Sequence, residues 1–150
     1  MSADRFPPSI AASAPRPSLS DLPPPASLLA FDFGTRRIGV AKGHAMLKQA
    51  EPLRAITASG EARFEAIARL IKDWQPDALV IGVPFHPDGA EHEMTLAARR
   101  FGRQLKGRFR LRVYEVDERY TSVEAESLGA RDVDSTSAAL ILEQYFREHS

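Results

Sequence analysis

Leu28-Leu29-Ala30-Phe31-Asp32-Phe33-Gly34-Thr35-Arg36-Arg37-Ile38-Gly39-Val40-Ala41 is the stretch on which the reading of this chain turns. Two short apolar runs flank a polar turn marked by Gly34, which predicts a β-hairpin. Asp32 follows four apolar residues at the end of the first run. An ionised carboxylate there is costly unless it is paired, hydrogen-bonded or bound to a cation. A turn aspartate satisfied by the backbone of Gly34 or Thr35 is the structural alternative.

Downstream, a third strand is expected near Pro52 to Thr57. From Glu61 to Trp74 the apolar residues Phe64, Ile67, Ala68, Ile71 and Trp74 follow the spacing of one helix face, and Pro76 stops that helix. Ala78-Leu79-Val80-Ile81-Gly82-Val83 is short and continuously apolar, as in a strand covered on both faces. A loop from Pro84 to Gly89 precedes a helix over about Glu91 to Lys106, with Met94, Ala97, Ala98, Phe101 and Leu105 inward. Leu111 to Val116 reads as another strand. Thr121-Ser122-Val123-Glu124 has the form of a capping box opening a helix that ends near Gly129. A last helix carries Ala138, Ile141, Leu142, Tyr145 and Phe146 on one face. Hairpin strands followed by alternating helices and strands predict an α/β domain with a mixed sheet packed by helices on both sides.

The first 26 residues hold seven of the eleven prolines with almost no large apolar residues. Such a composition buries too little surface to offset its ordering entropy. Residues 1–27 are therefore expected to be a Pro-rich disordered extension and residues 28–150 the folded domain. The extension lacks the uninterrupted apolar region of a secretory signal. No apolar run approaches the roughly 18 residues that span a bilayer, so no membrane partner is expected and the expected location is the cytoplasm.

The 20 basic and 20 acidic residues cancel, but unevenly along the chain. Arg99, Arg100, Arg103, Lys106, Arg108, Arg110 and Arg112 form a run of seven cations with no acid between them, whereas from Glu115 onward three Arg face nine Asp or Glu. Arg99, Arg103 and Lys106 share one helix face, either solvated or phosphate-binding. With no cysteine, disulfides and thiolate metal sites are excluded, and the four histidines are too scattered for a zinc signature.

Carboxylates at element ends are the remaining reactive groups. Glu118 lies where a strand gives way to a helix, with Asp117 equally plausible on pattern. Asp134 opens the last helix, where a helix-capping acid is the alternative. Three such groups would suit Mg²⁺ or Mn²⁺, which prefer oxygen ligands. A pair of these ions about 4 Å apart supports phosphodiester cleavage, although spacing alone does not show that the three acids converge.

Four segments in order resemble the motifs of the YqgF/RuvX family, Holliday-junction-resolvase-like proteins regarded as pre-16S rRNA nucleases. They are Leu29 to Ala41 above; Ile81-Gly82-Val83-Pro84 with Asp88-Gly89; Val116-Asp117-Glu118-Arg119-Tyr120-Thr121-Ser122; and Val133-Asp134-Ser135 running into Ala138 and Ile141-Leu142. The resemblance implies an RNase H-like fold, a mixed five-stranded sheet flanked by helices, and a Mg²⁺ or Mn²⁺ nuclease. By motif it implies Asp32, Glu118 and Asp134 as catalytic metal ligands, preferring Glu118 to Asp117 and Asp134 to Asp132. Arg36, Arg37 and Arg119 are then candidates for binding substrate phosphates, with pairing to local acids as the alternative. The implied partner is nucleic acid, either a structured rRNA precursor or branched DNA, and a homodimer stays open. Two features depart from the family pattern. Gly129-Ala130-Arg131-Asp132-Val133 is short where members often carry a lysine-rich loop, and the Pro-rich extension lies outside the family core.

Other readings fit less well. Asp32-Phe33-Gly34 also spells a kinase metal-binding tripeptide, but no His-Arg-Asp sequence follows and the chain is too short. An actin- or sugar-kinase-like ATPase needs two domains. A nucleic-acid-binding factor that does not cut is the non-enzymatic alternative, and it has no need of three acids near phosphates.

Overall fold

The computed structural model describes residues 23–121 and 133–149, with residues 133 and 134 as backbone alone. The expected extension up to residue 22 and the helix expected after Thr121 lie outside the described residues. Among those described, three strands come first, β1 (Ser27–Phe33), β2 (Ile38–His44) and β3 (Gln49–Ile56). Helix α1 (Glu61–Trp74), β4 (Ala78–Val83), α2 (Glu93–Phe109) and β5 (Arg112–Asp117) alternate, a 3-10 turn covers Glu118–Tyr120, and α3 (Val133–Glu148) ends the domain. The sheet order is β3-β2-β1-β4-β5. β1 to β3 are antiparallel, while β4 runs parallel to β1 and β5 parallel to β4. This is the mixed five-stranded α/β sheet expected.

The hairpin closes on the Phe33–Ile38 pair. At Gly34 a Cβ would stand 2.6 Å from the Arg37 carbonyl oxygen, so the turn accepts only glycine as it stands. β3 begins three residues before its expected start, because a second tight turn returns the chain at once. There the His44 carbonyl accepts from the amides of Leu47 and Lys48, with Lys48 at φ 54°. As an edge strand, β3 tolerates Pro52.

Strand alternation divides the core in two. Leu29, Phe31, Leu79 and Ile81 face α1 and α2, where they meet Phe64, Ile67, Phe101 and Leu105. Leu28, Ala30, Ala78, Val80 and Val116 face α3 and meet Ile141, Leu142, Tyr145 and Phe146. β4 is buried along its whole length, which explains its unbroken apolar run. Two expected core residues of α1 are instead exposed. Ala68 lies outward, and Trp74, in the last turn of α1, is 42% exposed with Lys42 of β2 over its ring at 4.0 Å. In α2, Thr95 and Gly102 are buried while Met94 and Ala97 are only half-buried, a small rotation of the expected face.

Pro23 to Ser27 pack against the domain. The Pro23 carbonyl accepts from Arg112, and the Asp77 carboxylate accepts from the Ala26 and Ser27 amides at 2.9 and 3.0 Å. Those two backbone bonds hold the Asp77 carboxyl below its ordinary 3.8. They join the start of β1 to the start of β4.

Two stability predictions follow from these contacts. Phe101 stacks on Phe33 at 4.8 Å and meets Phe31 and Phe64 at 6.1 and 6.2 Å, so Phe101→Ala should destabilise the domain by about 3–5 kcal/mol in urea unfolding. Asp77→Ala should cost about 1 kcal/mol near neutrality, its bonds being solvent-screened. A depressed folded pKa stabilises above the unfolded value and is lost as pH falls through the folded one. The gap between Asp77→Ala and the wild type should therefore close progressively below about pH 4; an undiminished gap at pH 2 would refute a stabilising role for the ionised Asp77 carboxylate.

Candidate functional site

The carboxyl ends of β1 and β4 adjoin the start of α3, the usual location for a site in an open α/β sheet. Asp32 pairs with Gly39 across the hairpin and lies one residue past the Phe31–Ile81 pair that links β1 to β4. By alternation its half-buried side chain shares the α3 face with Leu28 and Ala30. Gly82 lies one residue past Ile81 on the neighbouring strand and on the same face.

Glu118 lies across Gly82. A Cβ built on Gly82 would stand 2.5 Å from Glu118 Oε1, 2.8 Å from its Cγ and 2.3 Å from Ile141 Cδ1. The missing glycine side chain is thus the space that the Glu118 carboxylate occupies, between β4 and α3. Among the described residues, Glu118 has no ion-pair or hydrogen-bond partner for its carboxylate.

The two adjacent acids that the sequence left equivalent are separated by face. Tyr114 and Val116 pack on the α3 side, so Glu118 returns to that side and Asp117 points to the other. Asp117 accepts from the Arg119 backbone amide at 2.9 Å and from its guanidinium at 2.6 to 3.1 Å. Burial pushes the Asp117 carboxyl up, but the Arg119 hydrogen bonds and charge outweigh it and hold the group low. A period-of-two count from Tyr114 carries this distinction in the sequence itself.

α3 begins beside Asp32. The Ser135 hydroxyl accepts from the Val40 amide at 3.3 Å, and Val40 follows Gly39, the partner of Asp32. Asp134 immediately precedes Ser135 in the first turn of α3; its side chain lies outside the described residues. Asp32 and Glu118 are thereby brought to one face and the backbone of Asp134 to its margin. Among the described side chains, no three Asp, Glu or His residues form a group able to hold a metal. The donors on this face are all oxygens, which matches a hard divalent ion.

Arg36 and Arg37 are exposed in the hairpin turn that follows Asp32. Arg119 is engaged with Asp117 and also reaches the Pro87 carbonyl at 3.5 Å. An open cleft of about 550 Å³ is lined by Pro84, Phe85, Pro87, Glu118, Arg119 and Tyr120. Gly82, Phe85 and Tyr120 were not singled out in the sequence. A glycine inside an apolar strand is a recognisable sign of close approach, whereas the two aromatics carry no such sign.

Of the basic run, Arg99 pairs with Glu91 and with Glu115 at 3.4 Å. Arg108 grips Glu61 with two bonds of 2.6 and 2.9 Å, joining α2 to α1. Arg100, Arg103, Lys106 and Arg110 are exposed. The stripe is thus part structural and part solvated. None of the helices described is long and apolar enough to cross a membrane.

Comparison with known proteins agrees with this architecture. The family model RuvX, described as Holliday junction resolvase, matches residues 26–148. A protein of Albidiferax ferrireducens named "Putative pre-16S rRNA nuclease" is 60% identical over 121 residues, covering 81% of this chain and 78% of that protein. One of Ralstonia pickettii with the same name is 46% identical over 138 residues, covering 90% and 96%. Among solved structures, T. thermophilus RuvC in complex with Holliday junction substrate aligns with a TM-score of 0.51 at 17% identity, covering 82% of this chain and 95% of that one. The Fowlpox virus resolvase with its substrate Holliday junction DNA aligns with a TM-score of 0.50 at 11% identity, covering 82% and 98%. At such identities these two likenesses establish the RNase H-like fold alone. With its family model matched along nearly the whole described domain and relatives at 46–60% identity, the chain belongs to the RuvX family of Holliday-junction-resolvase-like proteins.

Proposed function

We propose that the chain is a Mg²⁺- or Mn²⁺-dependent nuclease of the cytoplasm that hydrolyses phosphodiester bonds at the 5′ end of pre-16S rRNA. The observation that carries this reading is the Glu118 carboxylate laid over Gly82, on the face that Asp32 shares. Two acids on one face at the strand ends offer the oxygen donors that a hard divalent cation prefers. The names borne by relatives at 46–60% identity supply the substrate. Cleavage of four-way DNA junctions is the second reading, supported by the description of the family model.

Asp32, Glu118 and Asp134 would hold the ions. When bound, such ions supply a water nucleophile at neutral pH and stabilise the leaving oxygen. Asp32 contributes from a rigid central strand, so its position is fixed by the sheet. Glu118 is held by the contour of Gly82 and Ile141. Arg36 and Arg37, exposed beside Asp32, would orient the flanking phosphates without reading sequence. Arg119, already neutralised by Asp117, is better suited to shaping the cleft than to attracting phosphate.

The protein should cut an RNA carrying the 16S 5′ precursor only with Mg²⁺ or Mn²⁺ present. Residues that merely orient a metal ligand are worth about 10- to 100-fold, so Asp32→Asn and Asp134→Asn should each lose about 100-fold or more. Cleavage that survives both chelation and the Asn changes would sink the mechanism, and faster cutting of a four-way DNA junction would favour the second reading. Gly82→Ala tests the Glu118 seat independently. It should lose some stability, because its Cβ meets Glu118 Cγ and the buried Ile141 Cδ1 as well as Glu118 Oε1; in protein that still unfolds cooperatively, cleavage should fall about 10-fold or more. Undiminished cleavage would mean that Glu118 need not sit there.

A further inference from the structure

We propose that the cleft beside Glu118 is a nucleobase subsite, in which Phe85, Arg119 and Tyr120 form a stacking platform for one unpaired base. The inference rests on the nuclease reading and narrows its substrate class to phosphodiesters next to a nucleotide that is free of the helix. Three observations converge on it. Tyr120, the second residue after Glu118, is 62% exposed and lines the same cleft as Glu118. The Arg119 guanidinium stands 5.5 Å from the Phe85 ring and 5.5 Å from the Tyr120 ring. Asp117 fixes that guanidinium by hydrogen bonds from Nε and Nη2, so the planar group is held in place.

The chemistry of such a surface is specific. Aromatic rings and guanidinium planes are what splayed-out bases stack upon, and every base offers a π-face. A cleft of about 550 Å³ is within the range of small-ligand sites and admits a single nucleotide. A base inside a duplex presents only its edges and cannot lie on this platform without leaving the stack. Because Asp117 neutralises Arg119, the platform binds through its faces more than through net charge. With Glu118 at one wall, a base seated here would set its own phosphate beside the acids.

The test uses the full chain and hairpin RNAs that carry one bulged nucleotide. With 2-aminopurine at the bulge, binding should quench its fluorescence. Tyr120→Ala should abolish most of that quenching and weaken binding about 10-fold, while Tyr120→Phe should preserve both. In cleavage, wild type should prefer a base-bearing bulge to an abasic one by about 10-fold, and in Tyr120→Ala that ratio should fall to about one. A merely structural role for Tyr120 would lower both rates and leave the ratio unchanged, overturning the proposal. Equal quenching in Tyr120→Ala and wild type, or equal cutting of a fully paired RNA, would also overturn it. If no RNA is cut under any condition, the nuclease reading fails on its own, and the fluorescence comparison still decides whether the platform exists.

Discussion

The arrangement at the sheet edge depends on an absent side chain at Gly82. Every other residue of β4 that faces α3 fills the layer between strand and helix, as Ala78 and Val80 do. At Gly82 that space goes to the Glu118 carboxylate, with Ile141 of α3 closing the other side. A polar group can reach such a position only where backbone bulk is minimal and water remains near. Glu118 meets both conditions because it lies one residue past the end of β5, at the edge of the sheet. The same edge receives Asp32 from β1 and the first turn of α3, which the Ser135–Val40 hydrogen bond holds in place.

Much of this was legible in the residues. The hairpin around Gly34 and the unbroken apolar run of β4 are each the direct trace of a physical requirement, a tight turn in one case and burial on both faces in the other. The helix bounds Glu61–Trp74 also follow from periodicity. Periodicity fails at Trp74, because it reports which face a residue lies on and not what that face meets. In the last turn of α1 the apolar residue meets solvent and the polar Lys42 of β2 in place of the core. Spacing likewise could not show that Asp32 and Glu118 share one face, since that depends on parallel pairing of β4 with both β1 and β5. The choice between Asp117 and Glu118 was within reach of strand alternation, whereas the platform of Phe85 and Tyr120 depends on how two distant turns fold toward each other.

Charge shows a related limit of one-dimensional reading. The seven cations from Arg99 to Arg112 look like one patch in sequence, yet the fold distributes them. Arg99 and Arg108 are used in ion pairs with Glu91, Glu115 and Glu61, the last of which ties the two helices on one sheet face together. The hydrogen bonds from Arg108 draw the Glu61 carboxyl below its usual range. Arg112 donates to the Pro23 carbonyl and the Tyr114 hydroxyl, so what remains for solvent or a polyanion is Arg100, Arg103, Lys106 and Arg110. The neutral total therefore conceals internal pairing as well as opposed segments.

The pairing of Arg119 with Asp117 bears on the acids themselves. An arginine adjacent in sequence to Glu118 could have neutralised it, leaving a stable but inert surface ion pair. Alternation prevents that, because the side chain of Asp117 emerges on the opposite face and takes up the guanidinium there. Glu118 is left with oxygen lone pairs unclaimed by any described residue, on the same face as Asp32. A half-buried carboxylate without a partner among the described residues is destabilising in isolation. Such frustration is tolerable where a divalent cation completes the site, since binding to the folded state alone returns stability by mass action. The same adjacency that protects Glu118 from neutralisation also fixes the Arg119 plane between two aromatic rings. One dipeptide, Asp117-Glu118, thus separates an ionic function on one face from a packing function on the other.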